Sequence, residues 1–73
     1  MILTIRFMKQ YYYDIFRDAE VMRCSGITDK GTFFAERVCE KAGEKREMDK
    51  AFREYVMNAI ESGMNPGRVE LDG

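Results

Sequence analysis

The side chains best suited to covalent chemistry are Cys24 and Cys39, fifteen positions apart in a chain of 73 residues that has no histidine. Attack by a cysteine or serine needs a base within hydrogen-bond reach, and the usual imidazole is missing. A lone pair of cysteines matches neither a zinc-site spacing nor a disulfide framework. The pattern predicts two free, buried thiols that pack as small apolar groups, with no metal and no cofactor. Two carboxylate pairs, Asp14 with Asp18 and Glu40 with Glu44, fall at i,i+4 spacing. On exposed helix faces they stay solvated, so they offer no general acid or base of shifted pKa. The six glycines mark element ends and form no phosphate-cradling loop. The expectation is a protein that is not an enzyme.

Binding chemistry is better represented. Tyr11, Tyr12 and Tyr13 are consecutive, so they cannot all face one core, and Tyr13 at least is expected in solvent. Tyrosine carries a large rigid apolar area with a polar tip, which suits protein interfaces. Tyr11 and Tyr13 beside Arg17 are therefore the leading candidates for protein contact. Phe33, at the edge of its apolar stripe, and Met57, on a polar face, are weaker candidates, and Val21 interrupts a polar face in the same way. Six methionines favour an adaptable contact surface.

The elements that must hold these residues follow from periodicity. Met1 to Phe7 alternate, with Leu3, Ile5 and Phe7 on one side, the signature of a half-buried strand. From Lys9 the spacing of Tyr12, Ile15, Phe16, Ala19 and Met22 predicts a helix over about 9–24, closed by Cys24-Ser25-Gly26. Thr28 to Thr32 read as a turn, and Phe34, Ala35, Val38, Cys39 and Ala42 predict a second helix over about 30–42. A hairpin pairing 20–27 with 32–38 around Asp29-Lys30-Gly31 competes, but the apolar positions there do not alternate. The strongest pattern is a third helix over 44–62, with Met48, Ala51, Phe52, Tyr55, Val56, Ala59 and Ile60 on one stripe. Gly63 and Met64 close it, Asn65-Pro66-Gly67 turns the chain, and Val69 and Leu71 leave room for a short last strand against the first. The fold class expected is α+β, mainly helical, in one small domain over 1–73.

Composition narrows the partners. Twelve Lys and Arg against thirteen Asp and Glu give a formal charge of −1, with no electrostatic footprint for nucleic acid or anionic lipid. No stretch reads as a signal peptide or a membrane span, so a cytoplasmic location is expected. A core this small barely offsets chain entropy, which leaves a homodimer or partner-assisted fold open.

The first half also resembles the ribbon-helix-helix regulators, which include plasmid repressors and many antitoxins. Leu3-Thr4-Ile5-Arg6-Phe7 is similar to their strand, and Gly26-Ile27-Thr28 before Phe33-Phe34-Ala35-Glu36 is similar to their turn and second helix. The resemblance implies a dimer whose paired strands enter the DNA major groove, with Thr4 and Arg6 as base readers and Lys9 and Lys30 toward phosphates. It also implies a C-terminal helix, Met48 to Ile60, that docks on a protein. The leading expectation is a small non-enzymatic regulator that binds a protein partner and inhibits or redirects it. Phage- or plasmid-borne inhibitors, anti-CRISPR proteins among them, are of that kind. The alternative is the dimeric DNA-binding repressor or antitoxin.

Overall fold

In the computed structural model, which describes residues 4–71, three strands precede one helix: β1 (Arg6–Asp14), β2 (Ala19–Thr28), β3 (Gly31–Val38) and α1 (Ala42–Glu61). The strands form an antiparallel sheet in the order β1-β2-β3. This overturns the mainly helical expectation. The segments read as helices over 9–24 and 30–42 are strands, and the hairpin about Asp29-Lys30 is the pairing adopted. The expected first strand, Met1 to Phe7, lies partly outside the described residues, and within them the strand begins at Arg6 and continues through the tyrosines.

Each turn has a local cause. The Asp14 carboxylate accepts the N–H groups of Phe16 (2.9 Å) and Arg17 (3.3 Å) and pairs with the Arg17 guanidinium at 3.5 Å. That Asx turn closes the first hairpin, with Asp18 at φ 52°, a conformation aspartate tolerates better than most residues. In the second hairpin the Thr28 hydroxyl accepts the Lys30 N–H at 3.1 Å and donates to the Gly31 carbonyl at 2.8 Å. Gly31 takes φ 137°, a region open to glycine.

Alternation is hidden in β2 because it is the central strand. Val21 and Met22 are neighbours on opposite faces, and both are fully buried. Met22, Cys24 and Gly26 face the helix, beside Phe33 and Ala35 of β3 and Phe7, Lys9 and Tyr11 of β1. Val21 lies on the far face, next to Tyr12 and Val38 in register.

The helix forms where its pattern predicted, displaced by a residue or two at each end. Met48, Phe52, Val56 and Ala59 are buried along one stripe and meet Met22, Cys24, Phe33, Ala35, Cys39 and Val69 in a single core. Phe52 meets Phe7 edge to face, with ring centroids 6.3 Å apart. Gly63, at φ 73°, ends the helix: its N–H bonds the Ile60 carbonyl and the Met64 N–H bonds the Ala59 carbonyl, which is the Schellman arrangement.

The tail corrects a further expectation. The Phe34 N–H donates to the Gly67 carbonyl (3.1 Å) and the Val69 N–H donates to the Phe34 carbonyl (2.7 Å). These bonds make a parallel bridge between Phe34 and Arg68. The last segment thus lies on the outer edge of β3, and Val69 is buried there; it does not pair with the first strand.

Candidate protein-binding site

The first hairpin extends past the rest of the sheet. β3 ends at Val38, opposite Val21, and the last bond to its continuation runs from the Cys39 N–H to the Glu20 carbonyl at 3.1 Å. Residues 14–19, at the hairpin tip, lie beyond that support. Ten large hydrophobic side chains are exposed among the described residues, and six of them, Met8, Tyr11, Tyr12, Tyr13, Ile15 and Phe16, fall in one nine-residue run. Exposure peaks at the tip, where Ile15 is 75% and Phe16 95% accessible. Scattered apolar residues are normal on a surface, but a contiguous group marks a contact site.

Two tyrosines have neighbours that fix their orientation. The Lys45 ammonium lies 5.0 Å from the centre of the Tyr11 ring, and the same ammonium is 3.6 Å from the Glu20 carboxylate. On the opposite face the Tyr12 phenol is hydrogen-bonded to Glu36; partial burial first, and that carboxylate second, raise its pKa above the ordinary phenol value. Glu36 also pairs with Arg23 at 3.4 Å, and Arg23 lies 5.3 Å from the Phe34 ring centre. Tyr13, 55% exposed, stands next to the tip. Residues 14–20 carry three carboxylates, Asp14, Asp18 and Glu20, and one cation, Arg17, with Lys45 of the helix paired to Glu20.

Tyr11 and Tyr13 lie on the helix side of β1, whereas Arg17, in the turn beyond them, pairs with Asp14 and acts on Tyr12 of the opposite face. Met57 is exposed on the outer side of the helix, beside Arg53, Glu54 and Asn58 and away from the tip. Phe33 cannot serve as a contact: it is 3% exposed and forms part of the core, because β3 turns it toward the helix. Val21 is likewise buried. Of the residues the DNA reading would use, Thr4 precedes β1, Arg6 opens it, Lys9 lies within it with its ammonium 3.7 Å from Asp49, and Lys30 sits in the second turn. They span the sheet from its first strand to its second turn. Sequence reasoning missed Ile15 and Phe16 because their spacing from Tyr12 assigned them to a helical core. The usable signal was the Asp14-x-x-Arg17-Asp18 cluster around them, which favours a turn.

Both thiols lie in the core. Cys24 and Cys39 are free and buried; burial pushes Cys24 up to about 11 and raises Cys39 as well. The Cys39 Sγ lies 3.7 Å from the Met48 sulfur. Among the described residues no group of three His, Cys, Asp or Glu could hold a metal, and no helix is long and apolar enough to cross a membrane. A small cleft at the far end of the sheet, between the second turn and Met64-Asn65-Pro66, is lined in part by Phe33 and Ile60. No protein-family model matches the chain, and neither a curated protein nor a solved structure matches it.

Proposed function

We propose that this protein is a non-enzymatic binding module that inserts the tip of its first hairpin into an apolar cleft of a protein partner and inhibits or redirects that partner by occupying the cleft. The single observation that carries the reading is Phe16, a phenylalanine 95% exposed at the end of an overhanging hairpin, with Ile15 beside it. A large apolar ring held in water costs solvation free energy that only an occupied cleft would recover, about 1.5–3 kcal/mol for a fully buried side chain. Interface hot spots have this form, an aromatic anchor surrounded by polar groups that exclude water.

The chemistry around the anchor selects the partner. Three carboxylates, Asp14, Asp18 and Glu20, outnumber the Arg17 guanidinium and the Lys45 ammonium paired with Glu20, which disfavours a phosphate backbone or an anionic lipid surface. They favour a cleft with a basic rim. Tyr13 would lie at the mouth of such a cleft and Arg17 would reach its edge.

The test is a photo-crosslinking amino acid placed at Phe16 and, as a control, at Met64, in chains expressed in the source cell. The expected result is one protein captured from position 16 and not from 64, displaced by wild-type chain and not by Phe16→Ala. Equal capture from both positions, or binding to duplex DNA that falls steeply with salt, would contradict the reading.

A further inference from the structure

Among the described residues nothing pairs with the outer edge of β1, and the register shows which groups it offers. The Glu20 carbonyl is taken by Cys39 on the β3 side, so the even-numbered residues of β2 direct their backbone groups toward β3. The odd-numbered ones turn toward β1, because antiparallel ladders alternate. Their partners in β1 are the even residues, Arg6 to Asp14. The N–H and C=O groups of Phe7, Lys9, Tyr11 and Tyr13 therefore point away from the sheet, along a nine-residue strand without proline or bulge. Exposed edges of this length are usually blunted by inward-pointing charge or proline. Here Lys9, the one lysine on the strand, is held by Asp49 at 3.7 Å on the helix side.

We propose that this edge pairs with the β1 edge of a second copy of the chain, antiparallel, about a two-fold axis through Gln10, to give a continuous six-stranded sheet. About that axis the strand is complementary to itself. With Gln10 opposite itself, Arg6 faces the partner's Asp14, so a cation meets the strand's one carboxylate at both ends. Phe7 faces the partner's Tyr13 and Met8 the partner's Tyr12, aromatic and sulfur–aromatic pairs that stabilise cross-strand contacts. Lys9 faces the partner's Tyr11, and the Phe7–Tyr13 and Lys9–Tyr11 positions are those whose backbone groups point outward, as the hydrogen-bonded pairs of such a ladder must.

The helix agrees with this register. Lys45 lies over Tyr11, Asp49 beside Lys9, and Arg53 over Phe7 at 4.7 Å. Reversed by the two-fold, Asp49 is brought opposite the partner's Lys45. A register shifted by two residues loses the Arg6–Asp14 match and sets unlike positions together. The tips remain outside the pairing and point in opposite directions. The two Asp14 positions on the two chains are separated by eight residues along the ladder, roughly 26 Å at the rise of an extended strand. The dimer thus presents two anchors, and it stands independently of the tip's role.

Sedimentation equilibrium up to millimolar chain tests the pairing on three variants. The first carries an N-methyl group on the Tyr11 amide, introduced by chemical ligation at Cys24; it removes an edge donor without touching a bond to β2. The second is Arg6→Glu, and the third combines Arg6→Glu with Asp14→Asn, which keeps the turn's acceptor. A concentration-dependent dimer is expected, weakened at least tenfold by N-methylation and by Arg6→Glu, partly restored in the double variant, and unchanged in Phe16→Ala. A monomer at every concentration, or a dimer indifferent to N-methylation and to Arg6→Glu, overturns the proposal. A dimer lost in Phe16→Ala places the contact at the tip and overturns it as well. Circular dichroism of each variant at low concentration checks that the monomer keeps its fold.

Discussion

At the scale of single residues, the two thiols behave as their isolation in the sequence implied: with no imidazole near them, they were filler for the core. Cys24 has its pKa raised from 9.0 to about 11, chiefly by burial. A raised thiol pKa stabilises the fold fully below the unfolded value and is lost as pH climbs through the folded one. The Cys24 contribution should therefore be constant below pH 9.0 and decline toward pH 11, with Cys39 and Tyr12, both raised, adding to the slope at alkaline pH. Denaturant midpoints across that window check it, and Cys24→Ala should flatten part of the decline; an unchanged slope would remove Cys24 from the account. In the native state both thiols should resist alkylation until the chain unfolds. Phe33 and Phe16 show the limit of reading residues one at a time. Each is an aromatic in a short apolar run, and their fates, core and solvent, were decided by which strand and which turn received them.

Among the elements, the helix was legible and the sheet was not. Met48, Phe52, Val56 and Ala59 repeat over three turns of a 20-residue helix, so the helical period had room to declare itself. The strands failed for two physical reasons. Tyr12, Ile15, Phe16, Ala19 and Met22 fall by coincidence on one helical face although a turn divides them. β2, in the middle of the sheet, is covered on both faces at Val21 and Met22, which erases the alternation that marks a half-buried strand. The tyrosine-rich composition of β1 favoured a strand all along. Gly26 tests how closely the helix sits on the sheet: a Cβ there would lie 3.4 Å from Phe7 and 3.6 Å from Val56. Alanine should fit at ordinary contact distance, whereas Gly26→Val should overpack the interface and cost about 1–3 kcal/mol by thermal or urea melts. Phe52→Ala should cost about 3–5 kcal/mol, enough to leave so small a domain largely unfolded. A mild effect from Gly26→Val would mean the helix can slide along the sheet.

For the molecule as a whole, one sheet and one helix leave little surface for specialised work, and the overhanging hairpin is the part that the core does not use. The tail at Gly67–Val69 bridges to the β3 edge at Phe34, while among the described residues nothing pairs with the β1 edge, and the tip is apolar. Val69→Ala should lower the melting temperature by uncovering the core beneath it, about 1–3 kcal/mol, without altering binding by the remaining folded chain. The turn at the tip left a local signal in Asp14, Arg17 and Asp18, but its overhang depends on where β3 stops, which no local pattern encodes. The central claim is that Phe16 is an anchor for a protein cleft. Titration calorimetry of the crosslinked partner against wild type and Phe16→Ala, with melting curves of both chains, tests it most directly. The expected result is an affinity loss of at least about tenfold, or 1.4 kcal/mol, at an unchanged or slightly higher melting temperature. Equal affinity for the two chains would contradict it.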